Sequence, residues 1–299
     1  MTKNDLKTIA ASLNPAHFLS APEYLAALYQ AVKAAADKYS YIQFTEDLGL
    51  GHCNALYLII HGQRPLTKKA GQKIATALDL RGVSRQYFLK LVETKARGTA
   101  SERDETLDDL MALKARTLPT DLDREQLEFY QQWYHAAILE LLSLPGCSDD
   151  PVWLGQHLQP NVPPQKVKAS LSLLQRLRHV AFDKKQGRLI PTQTTLTTGN
   201  EVYGVAVLRY HHQMISLARD ALTDVGPTER DISAVTIGIP ASVFDQVKAE
   251  IQSLRQRLLA LSAAQSDSDQ IIQVNIQMFP LGRLNPRSKA STNGNGSGT

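Results

Sequence analysis

Cysteine is nearly missing from this 299-residue chain: only Cys53 and Cys147 occur, and neither belongs to a CxxC pair. That excludes a disulfide framework and a cysteine-built zinc site, and it fits a reducing, cytoplasmic setting. No apolar run approaches the ~20 residues that a membrane helix needs. No basic segment followed by an apolar run and a small-residue cleavage site stands at the N-terminus, so secretion is not expected. GxSxG, a P-loop glycine cluster and HExxH are all lacking, and with them the usual frames for nucleophilic, phosphate and zinc-hydrolase chemistry. His211 and His212 are adjacent; on a helix they point about 100° apart and cannot both ligate one metal. These absences argue against an enzyme, and neither a catalytic residue, a metal nor a cofactor is expected.

What the chain does have is an uneven charge. Residues 21–100 hold 11 Lys/Arg and 6 Asp/Glu, residues 101–150 hold 4 and 12, residues 151–195 hold 7 and 1, and residues 196–285 hold 7 and 9. Two basic modules separated by an acidic connector suit polyanion binding better than a uniform excess would.

The stretch from Ser40 to Arg64 organises the first module. Ser40 and Gln43 read as a capping box. Phe44 and Leu48 lie one turn apart on one helical face. Gly49 permits a positive φ, Leu50 turns back toward the same core, and a second helix with Leu56, Leu58, Ile59 and Ile60 stops near Gly62. Two short helices joined by a glycine turn make a helix-turn-helix. A helix from about 20 to 38 precedes it, with Ser20 and Glu23 as its cap. Two helices follow, one capped by Thr67 and burying Ile74, Ala75 and Leu78, one over about 84–97 with Tyr87, Phe88, Leu91 and Val92 inward. Residues 1–19 read as a partly ordered arm.

Beyond this, residues 98–122 read as an acidic linker with some helix. Asp123 and Gln126 open one long helix through Leu127, Tyr130, Tyr134, Ile138 and Leu141, in which Trp133, Tyr134 and His135 form an aromatic cluster. A short helix (VWLGQHL), an NVPP turn, a basic helix with Val167, Leu171, Leu174 and Leu177 on one side, and a hairpin turning near Lys185–Gly187 follow in winged-helix order. Thr198 and Glu201 cap a further helix to about Leu222. SAVTIGIP and IIQVNIQMFPL alternate as two strands around an amphipathic helix over 241–264, and residues 286–299 are polar and glycine-rich, hence disordered.

Phe44, Thr45, Leu48, Gly49, Leu50 and Gly62, with the GQRPLT that follows, resemble the repressor class typified by phage Cro. The departure is Thr45, where that class prefers alanine; a hydroxyl there is tolerated if it bonds back to the preceding turn. The motifs NALYLIIHGQRPLT (54–67), YQQWYHAAILELL (130–142), TLTTGNEV (195–202), LRYHHQMISLA (208–218) and IQVNIQMFPL (272–281) are together similar to a family of bacterial helix-turn-helix transcriptional regulators. The C-terminal region of that family is a domain of unknown function. The resemblance implies a regulator without settling a ligand.

The expected fold is mainly α with a small α+β part: a Cro/repressor-like five-helix domain (21–97), an acidic linker (98–122), a winged-helix-like middle (123–195), an α/β dimerisation or sensor module (196–285) and a tail (286–299). The expected partners are double-stranded DNA, a second copy held by the C-terminal half, and a small-molecule or protein effector. His52, Asn54 and Tyr57 would reach base edges, and Arg64, Lys68, Lys69 and Lys73 would hold phosphates. On the middle module the basic helix would present Gln165, Lys168, Ser172 and Arg176, with Lys184, Lys185 and Arg188 at the wing. The rival expectation is an interaction or sensing protein that keeps the helix-turn-helix shape without DNA.

Overall fold

A computed structural model describes residues 3–94, 100–118, 120–192 and 204–282. The protein is mainly helical, and the two-stranded hairpin is the only sheet among the described residues. These residues fall into two units: 3–232 with 267–271, and 233–266 with 272–282.

The first unit has two apolar clusters. The first gathers α1 (Lys3–Ser12), α2 (Ala21–Ala35), α3 (Tyr41–Asp47), α4 (Ala55–Ile60), α5 (Lys68–Ala77), α6 (Gly82–Glu93) and α7 (Ala100–Ala115). Tyr24 sits at its centre, edge-on to Phe18 at 5.4 Å and to Phe88 at 5.5 Å. Ser20 and Thr67 cap α2 and α5 through the amides of Glu23 and Ala70, which supplies donors that a helix start otherwise leaves unpaired. Residues 3–12 are a helix rather than an arm, because Leu6 and Ala10 fit into this cluster.

The acidic segment is likewise not a linker. Helix α7 buries Leu107, Leu110 and Met111, and its acids meet distant partners: Asp109 pairs with Lys90, while Asp104 and Asp108 hold Arg209 at 2.8 and 2.9 Å. Arg209 belongs to α12 (Gly204–Asp224), whose Val205 and Ala206 also enter the first cluster.

The long helix expected from Asp123 onward is broken in two, α8 (Asp121–Phe129) and α9 (Trp133–Leu141), and the cap is Thr120 bonded to the amide of Asp123. Leu127 of α8 faces the first cluster, while Phe129 at the end of α8 and Tyr134 beyond the break face the second. Gln213 of α12 splints the break: its Oε1 accepts from Trp133 N at 2.8 Å and its amide nitrogen donates to Gln131 O.

The second cluster is closed by α10 (Pro151–Gln156), α11 (Pro164–Arg176) and the antiparallel strands β1 (Val180–Asp183) and β2 (Arg188–Pro191), with Val180 opposite Pro191. Gly155 brings α10 against the turn before α11. A Cβ there would stand 2.2 Å from the Val162 carbonyl oxygen, and that close approach allows Val162 N to bond Gly155 O at 3.0 Å.

In the second unit, α13 (Phe244–Ala263) forms as expected, but residues 233–240 and 272–281 join no sheet, contrary to the strand–helix–strand reading. Alternation marks a strand face without supplying the neighbour that would pair with it. The expected cap at Thr198 and Glu201, the TLTTGNEV motif and the 286–299 tail lie outside the described residues. No helix among the described residues is long and apolar enough to cross a membrane.

Candidate nucleic-acid interface

Local chemistry builds the α3–α4 pair tightly. Ser40 Oγ accepts from Gln43 N at 3.2 Å, but the reciprocal arm of the box is not made, because Gln43 Nε2 donates to Asp47 instead. Gly49 takes φ +74°, and Leu50 N bonds back to Thr45 O at 3.1 Å, ending α3. Thr45 is buried; its hydroxyl donates to Tyr41 O at 2.7 Å and accepts from Leu56 N at 3.4 Å. The threonine therefore fastens the two helices across the turn, a bond that alanine cannot make. Phe44, Leu48 and Leu56 are fully buried between them.

This pair presents to solvent its turn, the residues leading into α4, and Ile42, Gln43 and Glu46 on the outer face of α3. His52 is exposed and bonded to Glu46 at 3.0 Å, and Asn54 is exposed at the N-cap of α4, where its side chain makes no capping bond. Tyr57 is drawn in: its ring stacks on His61 at 4.1 Å, meets Tyr41 edge-on at 5.1 Å, and its hydroxyl is shielded from solvent. After Gly62, at φ +70°, the amides of Gln63 and Arg64 both bond Leu58 O, which sets Arg64 in an exposed loop. Lys69 and Lys73 on α5 are exposed and form no ion pair among the described residues, whereas Lys68 is held by Glu93 at 2.6 Å.

On the middle module Gln165, Lys168 and Ser172 share an exposed face of α11, opposite buried Val167, Leu171 and Leu174. Arg176 is tied to Glu125 at 2.6 Å and lies 3.7 Å from Glu128, both on α8, so its charge is already matched. Lys184 and Lys185 stand exposed at the hairpin turn, which Asp183 shapes by accepting from the amides of Lys185 and Gln186. Arg188 corrects the reading of the wing: it points inward, donating to Leu142 O at 3.0 Å and to Cys147 Sγ at 2.9 Å. The last carbonyls of α9 lack helical partners, and a cation satisfies them.

The polar bonds of three buried residues, His135, Ser170 and Lys114, escaped the sequence reading. His135 Nδ1 and Ser170 Oγ lie 2.7 Å apart, joining α9 to α11, and burial pushes the imidazole pKa down to about 4. Both side chains are enclosed, so the pair fastens two helices rather than meeting a substrate. Lys114, 1% exposed, donates to Ala16 O at 2.6 Å, and burial lowers its pKa to about 8. Ser170 was legible in part, as a polar residue on the otherwise apolar stripe of α11; Lys114 left no such mark.

A family model described as a domain of unknown function (DUF4423) matches residues 114–281, more than half of the chain. No curated protein and no solved structure matches.

Proposed function

From a chain that belongs to the DUF4423 family, a domain of unknown function, we propose a DNA-binding transcriptional regulator whose α3–α4 pair is a helix-turn-helix of the Cro/repressor kind. One observation carries this reading. The turn and the residues just before α4 are exposed, as are Arg64 in the loop that follows α4 and Lys69 and Lys73 on α5, while Phe44, Thr45, Leu48 and Leu56 are locked in the core. A helix entering the major groove uses N-terminal residues for base edges and flanking cations for phosphates. Asn54 is the best-placed base reader, since an amide can bond adenine bidentately; His52 offers a single bond. Arg64, Lys69 and Lys73 are the phosphate holders, with Lys68 joining only if Glu93 releases it. The helix–turn–helix–hairpin of the middle module is read as winged-helix-like, with Lys168, Lys184 and Lys185 as its cationic face.

A protein-interaction or sensing role without DNA is the second reading. It is favoured by the six-residue α4, the inward Tyr57 and the absence of any arginine on α4.

Titration of fluorescent duplexes with the full chain separates the two. The DNA reading expects affinity to fall steeply with salt. It also expects Lys69→Ala with Lys73→Ala to lower the log–log slope by about two, roughly one per phosphate lost. Binding no tighter than that of a neutral control protein at low salt would leave the second reading standing.

A further inference from the structure

The second unit lacks an interior. None of residues 233–266 and 272–282 is buried, although α13 is amphipathic and both extended segments are apolar. Eleven of its large apolar side chains are exposed, among them Val235 at 80%, Ile272 at 78% and Leu259 at 71%. Fully burying an aliphatic side chain is worth ~1.5–3 kcal/mol at ~25 cal/mol per Å², hence about 60–120 Å² each. The eleven groups are 38–80% exposed, so they offer roughly 400–800 Å² of side-chain area, on the scale of the about 800 Å² that each partner contributes to a standard stable interface.

The edges tell the same story. Exposed strand edges in chains that stay single are guarded by charge, most often lysine. Residues 233–240 and 272–282 contain no charged residue at all. Each has a proline near its end, Pro240 and Pro280, which limits a ladder to the residues before it. In 272–278 the apolar residues Ile272, Val274, Ile276 and Met278 alternate with Gln273, Asn275 and Gln277, giving one face for a core and one for solvent.

We infer that residues 233–266 and 272–282 are half of a symmetric module, in which a second copy of this chain supplies the strands that pair with 233–239 and 272–279 and the helix that covers them. The occupant is a second copy because self-pairing asks only that the same apolar face meet itself. A different partner would be selected by charge or polar features, and this surface offers few: α13 carries three cations and two anions, with no field to repel a twin or to attract a stranger. The inference deepens the proposed regulator, for which two half-sites call for two copies, but it does not depend on DNA being the ligand.

The test uses the full chain without DNA, so its outcome and that of the DNA titration are independent. Sedimentation velocity over micromolar concentrations is combined with hydrogen exchange. The expected result is a dimer in which amides of 233–239 and 272–279 are protected, with protection fading on dilution. Ile272→Lys with Val274→Lys should weaken dimerisation by at least roughly a hundredfold, since symmetry places each change twice. Circular dichroism and the exchange pattern of α2 and α11 verify that the variant's first unit is intact. A monomeric wild-type chain would overturn the inference, and so would a dimer whose two segments exchange freely or one unmoved by the double substitution. Protection that persists in a monomer would show that the segments fold onto their own chain, which overturns it too.

Discussion

His135 and Ser170 show how a polar pair can serve a core. A neutral imidazole bonded to a buried hydroxyl gives α9 and α11 a single register, at the cost of refusing a proton. The folded state holds its pKa at about 4, whereas an unfolded histidine titrates near 6.5. Between those values only the unfolded chain takes the proton, so stability should fall as pH drops from about 6.5 to about 4 and level off below. The full effect is on the order of 3 kcal/mol. Urea denaturation across this range measures it, and His135→Asn should flatten that part of the pH profile. Gly155 makes a harder demand, because the atom that a Cβ would strike belongs to the backbone of Val162 and cannot rotate away. Gly155→Ala should lower stability by about 3 kcal/mol or more, near the upper end for overpacking, with a lower thermal midpoint as the readout.

At the scale of elements, α1 and α7, with Leu127 of α8 and Val205 and Ala206 of α12, fill a core that residues 21–97 cannot close alone. Leu6, Leu107, Leu110 and Met111 are all buried in the first cluster. A fragment of residues 21–97 is therefore expected to show weak cooperativity in thermal unfolding, and one of residues 3–118 a sharp transition; equal sharpness would refute this. The same contrast explains what could be read in advance. Helices α2 to α6 were legible because their signals are local: Ser20, Ser40 and Thr67 cap starts, and Gly49 and Gly62 permit the turns. Helix α7 was not, because its acids are matched by Lys90 and Arg209, the latter about a hundred residues away in sequence. The break before α9 was hidden for the same reason, since the Gln213 splint lies 80 positions beyond Trp133. Among candidate contacts, the chain announces where cations are but not which are occupied. Arg176 and Arg188 read like Lys184 and Lys185 until Glu125 and Leu142 O are found beside them.

For the whole molecule, the family match begins at Lys114, inside the N-terminal core, and α12 sends Val205 and Ala206 into that same core. The family region and the preceding helices thus share an interior. Calorimetry should find one cooperative transition for the first unit rather than separate melting of its two clusters. Two resolved endotherms that respond separately to Leu110→Ala, in the first cluster, and Leu174→Ala, in the second, would contradict this.

The Arg209 clamp on Asp104 and Asp108 has a bearing on ionic strength. Arg209 is 14% exposed and its acids lie 2.8–2.9 Å away. Mobile ions that strip a surface lysine from phosphate act less on this largely buried guanidinium, although Asp104 and Asp108 are 40% and 60% exposed. They do not screen the burial of Val205 and Ala206 that also holds α12. Added electrolyte should therefore release a polyanion well before it loosens α7 from α12. Melting curves recorded without nucleic acid at the same salt concentrations should stay nearly level, and the protein then acts as its own calibrant: if the proposed duplex binding is observed, its loss over that range reports on the interface and not on unfolding.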